Sequence, residues 1–373
     1  MDSTAGEDSA PEVRYGARSG VVLRRQPAVL AILITIGSGA HAVESRAPTS
    51  AQTAPTPVAA SRAVPPPAAG AGAVQLPAAA STCIVPFSFE KDQIVVEVTL
   101  GTSGPFRFLL DTGTNPSVID LKTAEMLSIP LGEAADSGSG AGTGPMQVRR
   151  CLLPALSLGP LTASGLEAAA ADLSSLSTGF GRRIDGVLGY GFLKDRVFTI
   201  DYATRALTFY PPSRIDRSDL FRHGKGRKVL PFDYYGEDRT PFARALSVAG
   251  SPALRVTLDT GSSGSATIYY RTALRLGWKA RLEEAPIKRS EGYRGSFPCA
   301  IIDSIPLSFA GHDLGPCEVS VPLPGSNYGE EGEGIADGNV GNGLLSGFRI
   351  TFDYPGRVVL VEKIDAPPPV DKR

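Results

Sequence analysis

The chain is 373 residues long, carries a formal net charge of −1, and is 42% hydrophobic and 20% charged. That is enough apolar material for a large core and two domains, while the balanced charge argues against a dedicated nucleic-acid binder, which shows a basic excess. Its 42 glycines and 31 prolines favour turns and strands over long helices.

The first 42 residues have the layout of an export signal. Arg24 and Arg25 precede the apolar run Ala28–Ile36, and small residues follow at Ala40 and Ala42. A positive flank, a short apolar core and an A-x-A site predict cleavage after Ala42. The run is short for a membrane-spanning helix, and residues 28–40 would anchor the chain only if they stayed uncleaved. The mature protein is thus expected in the periplasm or outside the cell. Residues 43–82 are rich in Ala, Pro, Ser and Thr and nearly free of large apolar side chains. Such a stretch buries too little surface to offset its ordering entropy, so it reads as a disordered tether.

From residue 83 onward the chain repeats itself. IVVEVTLGTSGPFRFLLDTGT and FARALSVAGSPALRVTLDTGS each read as a strand, a glycine-containing turn and a second strand ending on Asp111 or Asp259. A short apolar strand and a helix are predicted after each, in SVIDLKTAEMLSI and ATIYYRTALRLGW. IDGVLGYGFLKDRVFTIDY (184–202) then aligns without a gap on ADGNVGNGLLSGFRITFDY (336–354), with identities at Asp185, Gly186, Gly189, Gly191, Leu193, Asp201 and Tyr202. The two aspartates are 148 residues apart. An internal duplication over most of residues 84–363 follows, and two copies of one fold can present the same turn face to face. That gives each carboxylate at the end of an apolar strand a partner, where alone it would be costly to bury.

These residues resemble the aspartic proteases of the pepsin and retropepsin type. The resemblance rests on Leu110-Asp111-Thr112-Gly113-Thr114, on Leu258-Asp259-Thr260-Gly261-Ser262, and on the downstream apolar-apolar-Gly of Val187-Leu188-Gly189. It implies a mostly β fold of two homologous barrel-like lobes about a pseudo-twofold axis, with a cleft for an extended peptide. Residues 83–213 would form the first lobe, 214–228 a basic linker (with RHGKGRK), and 229–373 the second lobe. By the same resemblance Asp111 and Asp259 are catalytic and share one water. Thr112 and Thr260 would brace the two turns against each other, Gly113 and Gly261 would permit close approach, and Thr114 and Ser262 would hydrogen-bond their own lobe's carboxylate. Those two hydroxyls suggest an activity optimum on the acid side of neutrality. Neither metal nor cofactor is implied, the partner is a polypeptide substrate, and the chain is expected to be a monomer.

The pattern has departures. Asn339-Val340-Gly341 carries Asn in place of one apolar residue. GSGAGTGPMQV, the expected flap of the first lobe, offers no tyrosine; Tyr293 lies in the matching stretch of the second lobe and is a candidate substrate contact, its simpler role being a loop aromatic. Cys151 and Cys299 occupy equivalent positions and would be too far apart to bond. Four cysteines allow three connectivities and the sequence leaves the choice open; Cys299 with Cys317 could link neighbouring strands of one lobe, leaving Cys83 to reach Cys151.

Other chemistries fit less well. A phosphate-binding D-x-G-T turn of an actin-like ATPase would have different flanks and no ATP after export. A serine or cysteine hydrolase needs a base, and after signal removal only His223 and His312 remain, with no G-x-S-x-G. The non-enzyme alternative is an inactive protease fold binding peptides in the cell envelope, but such a module has no need of two buried carboxylates.

Overall fold

The computed structural model describes residues 30–31, 35–36, 82–135, 138–139, 147–211, 215–235, 239–292, 295–326 and 335–364. The expected tether, most of the signal segment, most of the first-lobe flap and Tyr293 lie outside the described residues. Among the described residues no helix is long and apolar enough to cross a membrane.

The protein is mostly β, in two β-rich lobes. In the first, Gln93–Leu100 (QIVVEVTL) is rich in β-branched residues and largely buried on both faces, as suits a strand inside a packed layer. It forms a hairpin with Ser103–Leu110, and the sheet continues through Gly186–Leu188, Ser117–Asp120, Glu167–Ala171 and Val148–Leu152. The second lobe runs in the same order: Thr240–Val248, Leu254–Leu258, Gly338–Val340, Ala266–Ile268, His312–Pro322 and Gly295–Phe309. The predicted strand–helix pairs fall at Ser117–Asp120 with Leu121–Met126, and at Ala266–Ile268 with Tyr270–Arg275. Both helices are short and bury small residues, Thr123 and Ala124 in one and Thr272 and Ala273 in the other, which lets them lie close on their sheets.

The placement of the aspartates follows from one wedge in each sheet. Gly186–Leu188 runs parallel to Phe108–Leu110 and antiparallel to Val118–Ile119, and Gly338–Val340 does the same between Val256–Leu258 and Ala266–Ile268. Beyond each wedge the ladder continues into the turn: Asp111 N–H donates to Leu188 O and Asp259 N–H to Val340 O, both at 2.9 Å.

A third sheet joins the lobes, ordered Arg227–Pro231, Val358–Lys363, Phe348–Asp353, Val197–Asp201, Ala206–Tyr210, Cys83–Pro86. Thr199 and Thr351, which align with each other in the repeat, are register partners here, and their hydroxyls lie 2.7 Å apart. Phe198 stacks on Phe352 beside them at 5.5 Å between ring centroids. The main apolar core runs continuously from both lobes into this sheet, so the two halves are not separately packed bodies. The expected linker 214–228 is partly structured: Arg217–Leu220 is a helical turn, and Arg227 and Lys228 open a strand paired with Val361 and Glu362.

The cysteine pairing is corrected. None of the four forms a disulfide. Cys299 pairs in register with Pro322, while Cys317 pairs with Ile305, six residues further along the strand. At about 3.4 Å per residue that is a separation of about 20 Å, far beyond the reach of a disulfide. Cys83 and Cys151 belong to different sheets.

Candidate active site

Each Asp-Thr-Gly triplet ends a buried strand, and the fold brings the two together where the lobes meet. Asp111, Thr112, Thr114, Asp259 and Thr260 are 0% exposed and Ser262 is 1% exposed. An apolar strand delivers each carboxyl to this place, and only a partner from the other lobe makes its burial tolerable.

The turns are locked to each other by a reciprocal set of bonds. Thr112 Oγ1 donates to Leu258 O at 2.6 Å, and Thr260 Oγ1 donates to Leu110 O at 2.9 Å. Each hydroxyl also accepts the other's backbone N–H at 3.0 Å. A second cross-lobe pair lies outside the triplets. Gln93 Nε2 donates to Gly261 O at 2.9 Å, and Thr240 Oγ1 donates to Gly113 O at 3.3 Å. Both side chains are fully buried at the first residue of the strand that pairs with the aspartate-bearing strand of their lobe.

The two glycines set how closely the carboxyls approach. A Cβ on Gly261 would lie 2.2 Å from Asp111 Oδ2, and one on Gly113 would lie 2.8 Å from Asp259 Oδ1. Only a residue without a side chain fits the first position, because the opposing carboxyl occupies the space a methyl would take.

The carboxyls differ in their donors. Asp111 accepts Gly113 N–H at Oδ1 (2.6 Å) and Thr114 Oγ1–H at Oδ2 (2.5 Å). Asp259 accepts Gly261 N–H at Oδ1 (2.9 Å), but its second donor is Asn339 Nδ2, 3.2 Å from Oδ2. The Ser262 hydroxyl, expected there as the donor, makes no hydrogen bond to the Asp259 carboxyl among the described residues; its Oγ accepts the Gly264 N–H at 3.4 Å.

Burial raises both pKa values. Asp111 is pushed up to about 6 by desolvation, partly offset by Thr114 and Gly113 and, less, by Asp259 and Gly261. Asp259 is raised well above the ordinary carboxylate range, first by desolvation and then by the charge of Asp111, with Gly261 and Asn339 opposing. The two side chains hydrogen-bond to each other, so they share protons and titrate as one unit. Two carboxyls in such contact keep one proton between them; aspartic proteases are the standard illustration of this.

The structure thus gathers Asp111, Thr112, Gly113, Thr114, Asp259, Thr260, Gly261 and Ser262 into one place, and says nothing of Tyr293. Sequence reasoning missed Gln93 and Thr240. Asn339 was visible as a polar residue in an apolar block, but its contact with Asp259 was not.

Residues 96–192 match the family model described as aspartyl protease, a stretch that holds Asp111 and Gly189. No curated protein matches the chain. Among solved structures, basic 7S globulin from soybean is similar at 12% identity and a TM-score of 0.43, covering 75% of this chain and 94% of that one. The aspartic proteinase of Irpex lacteus is similar at 14% identity and a TM-score of 0.45, covering 76% and 98%. The chain resembles the aspartic proteases, and the matched stretch carries the first of the two triplets.

Proposed function

We propose that this protein is an exported aspartic endopeptidase that hydrolyses peptide bonds of extended polypeptides. The observation that carries the reading is the buried pair itself: one carboxyl from each lobe, hydrogen-bonded to the other and braced by Thr112 and Thr260.

The chemistry follows from the unequal carboxyls. In the singly protonated pair the shorter donors from Gly113 and Thr114 favour Asp111 as the ionised member and leave the proton on Asp259, whose donors lie at 2.9 and 3.2 Å. Asp111 takes a proton from the attacking water while its oxygen bonds to the scissile carbonyl carbon, and Asp259 delivers its proton to the carbonyl oxygen. The tetrahedral gem-diol then collapses: the C–N bond breaks, Asp111 gives its proton to the leaving nitrogen, and Asp259 recovers one from a gem-diol hydroxyl. The pair ends as it began, and no covalent enzyme intermediate forms. Thr114 and Gly113 hold Asp111 as the ionised partner, since each donates to its charged form.

The test is cleavage of a denatured protein by the full chain and by Asp111→Asn. Cleavage by the parent that the variant lacks supports the reading; equal cleavage by both, or none by the parent at any pH between about 4 and 8, overturns it.

A further inference from the structure

We propose that Thr257 and Asn339 form a positioning unit, present in the second lobe only, that gives Asp259 the side-chain donor that Thr114 gives Asp111. The equivalent positions in the first lobe are Leu109 and Val187, which are register partners and fully buried. In the second lobe the register partners are Thr257 and Asn339, 3% and 2% exposed. Both members of one apolar pair have therefore become polar together. Placing an amide and a hydroxyl in that layer costs free energy unless each is hydrogen-bonded. Thr257 Oγ1 is 2.5 Å from Asn339 Oδ1 and 3.4 Å from Gly338 O. Donation to the nearer oxygen fixes which end of the amide faces Thr257, and so turns Nδ2 toward Asp259 Oδ2. Thr257 and Asp259 are two residues apart on one strand and share a face, which aligns hydroxyl, amide and carboxyl in one short relay.

Other titratable groups around Asp259 do not supply this donor. Asp111 faces it directly, and Tyr354, with Tyr234 and Tyr190, lies in its electrostatic surroundings. Asp337 and Arg255, two residues back on the same two strands, are paired with each other and, for Asp337, with Arg275.

The role assigned to the unit rests on the peptidase reading, but its measurement does not. The experiment is a carboxyl NMR titration of the full chain labelled with ¹³C-aspartate, the two resonances being identified by their loss in Asp111→Asn and Asp259→Asn. A side-chain donor favours the ionised carboxyl, so Thr257→Leu combined with Asn339→Val, which rebuilds the first-lobe pair, moves the pair's apparent pKa values up by about one unit. Thr257→Val, which keeps the shape of threonine and removes only its hydroxyl, moves them the same way by less, and Thr257→Ser leaves them unchanged. The alkaline limb of kcat, which reports loss of the Asp259 proton, follows the same upward shift with KM little altered. Unchanged apparent pKa values in a folded Thr257→Val and in the double variant would overturn the proposal. So would a downward shift, which would mean that the amide oxygen faces Asp259. A parent without peptidase activity defeats the proposed function and still leaves the titration to decide this one.

Discussion

Thr112 and Thr260, 148 residues apart, each donate a hydroxyl proton to the strand end that carries the other lobe's aspartate and each accept the other's amide. Removing either hydroxyl orphans a buried carbonyl and a buried N–H at once. Thr112→Val is predicted to lower unfolding stability by about 2–4 kcal/mol, with Thr112→Ser close to the parent. Because the residues share one network, the double valine variant should cost clearly less than the sum of the singles. Urea unfolding of the four proteins checks this; additive losses would show that the two turns are not coupled.

The glycines should rank by clearance. Gly261→Ala drives a methyl to 2.2 Å from Asp111 Oδ2, whereas Gly113→Ala meets Asp259 Oδ1 at 2.8 Å. Displacing a reacting group by a fraction of an ångström to an ångström is worth about 100-fold. Gly261→Ala is therefore expected to lose at least that much in kcat, and Gly113→Ala less, in a peptidase assay with circular dichroism confirming the fold. The reverse order would contradict the packing described.

The pH dependence departs from the acid-side expectation. That expectation counted a hydroxyl donor on each carboxyl, but the Ser262 hydroxyl makes no bond to the Asp259 carboxyl and burial outweighs the donors that remain. Activity should rise as pH climbs through about 6, where Asp111 becomes the ionised member, and fall only when Asp259 also loses its proton. Stability runs the opposite way. Both folded-state values lie above those of the unfolded chain, so the pair's contribution is complete below about pH 4 and is lost as pH rises through the raised values. Asp259→Asn carries no proton to lose. Its melting temperature should exceed the parent's by a margin that grows from about pH 4 to about pH 7 and vanishes below pH 4; a margin independent of pH would refute the shift.

Much of this architecture is legible in the sequence because it is written in local patterns. Apolar strands running into Asp-Thr-Gly, the strand and helix that follow, and the glycine blocks near 189 and 341 each specify a short piece of backbone, and the pieces recur in one order. Gln93 and Thr240 escaped because they act across the lobe interface, at strand starts with no motif around them. That the Ser262 hydroxyl makes no bond to the Asp259 carboxyl could not be read from its type, since Thr114 at the equivalent position does bond Asp111. Thr257 and Asn339 are 82 residues apart in the chain; only the strand register shows that two separate oddities are one pair. The cysteines misled for a related reason: adjacent strands were foreseeable, but the six-residue stagger between Cys299 and Cys317 depends on hairpin register.

Those cysteines give an independent check. Burial pushes the Cys151 and Cys299 thiols up to about 11, which leaves little thiolate at neutral pH. Four thiols should be counted in denaturant without reductant, and in the native protein Cys151 and Cys299 should react slowest. A count of two or none would mean that disulfides form.

The most direct measurement of the central claim is kcat for Asp111→Asn, Asp259→Asn and the double variant, each verified as folded. Residues that act as one unit fail together. Each single change should remove on the order of 10³-fold or more of turnover, and the double should be little worse than either. A folded single variant retaining near-parent turnover would contradict the two-carboxyl mechanism.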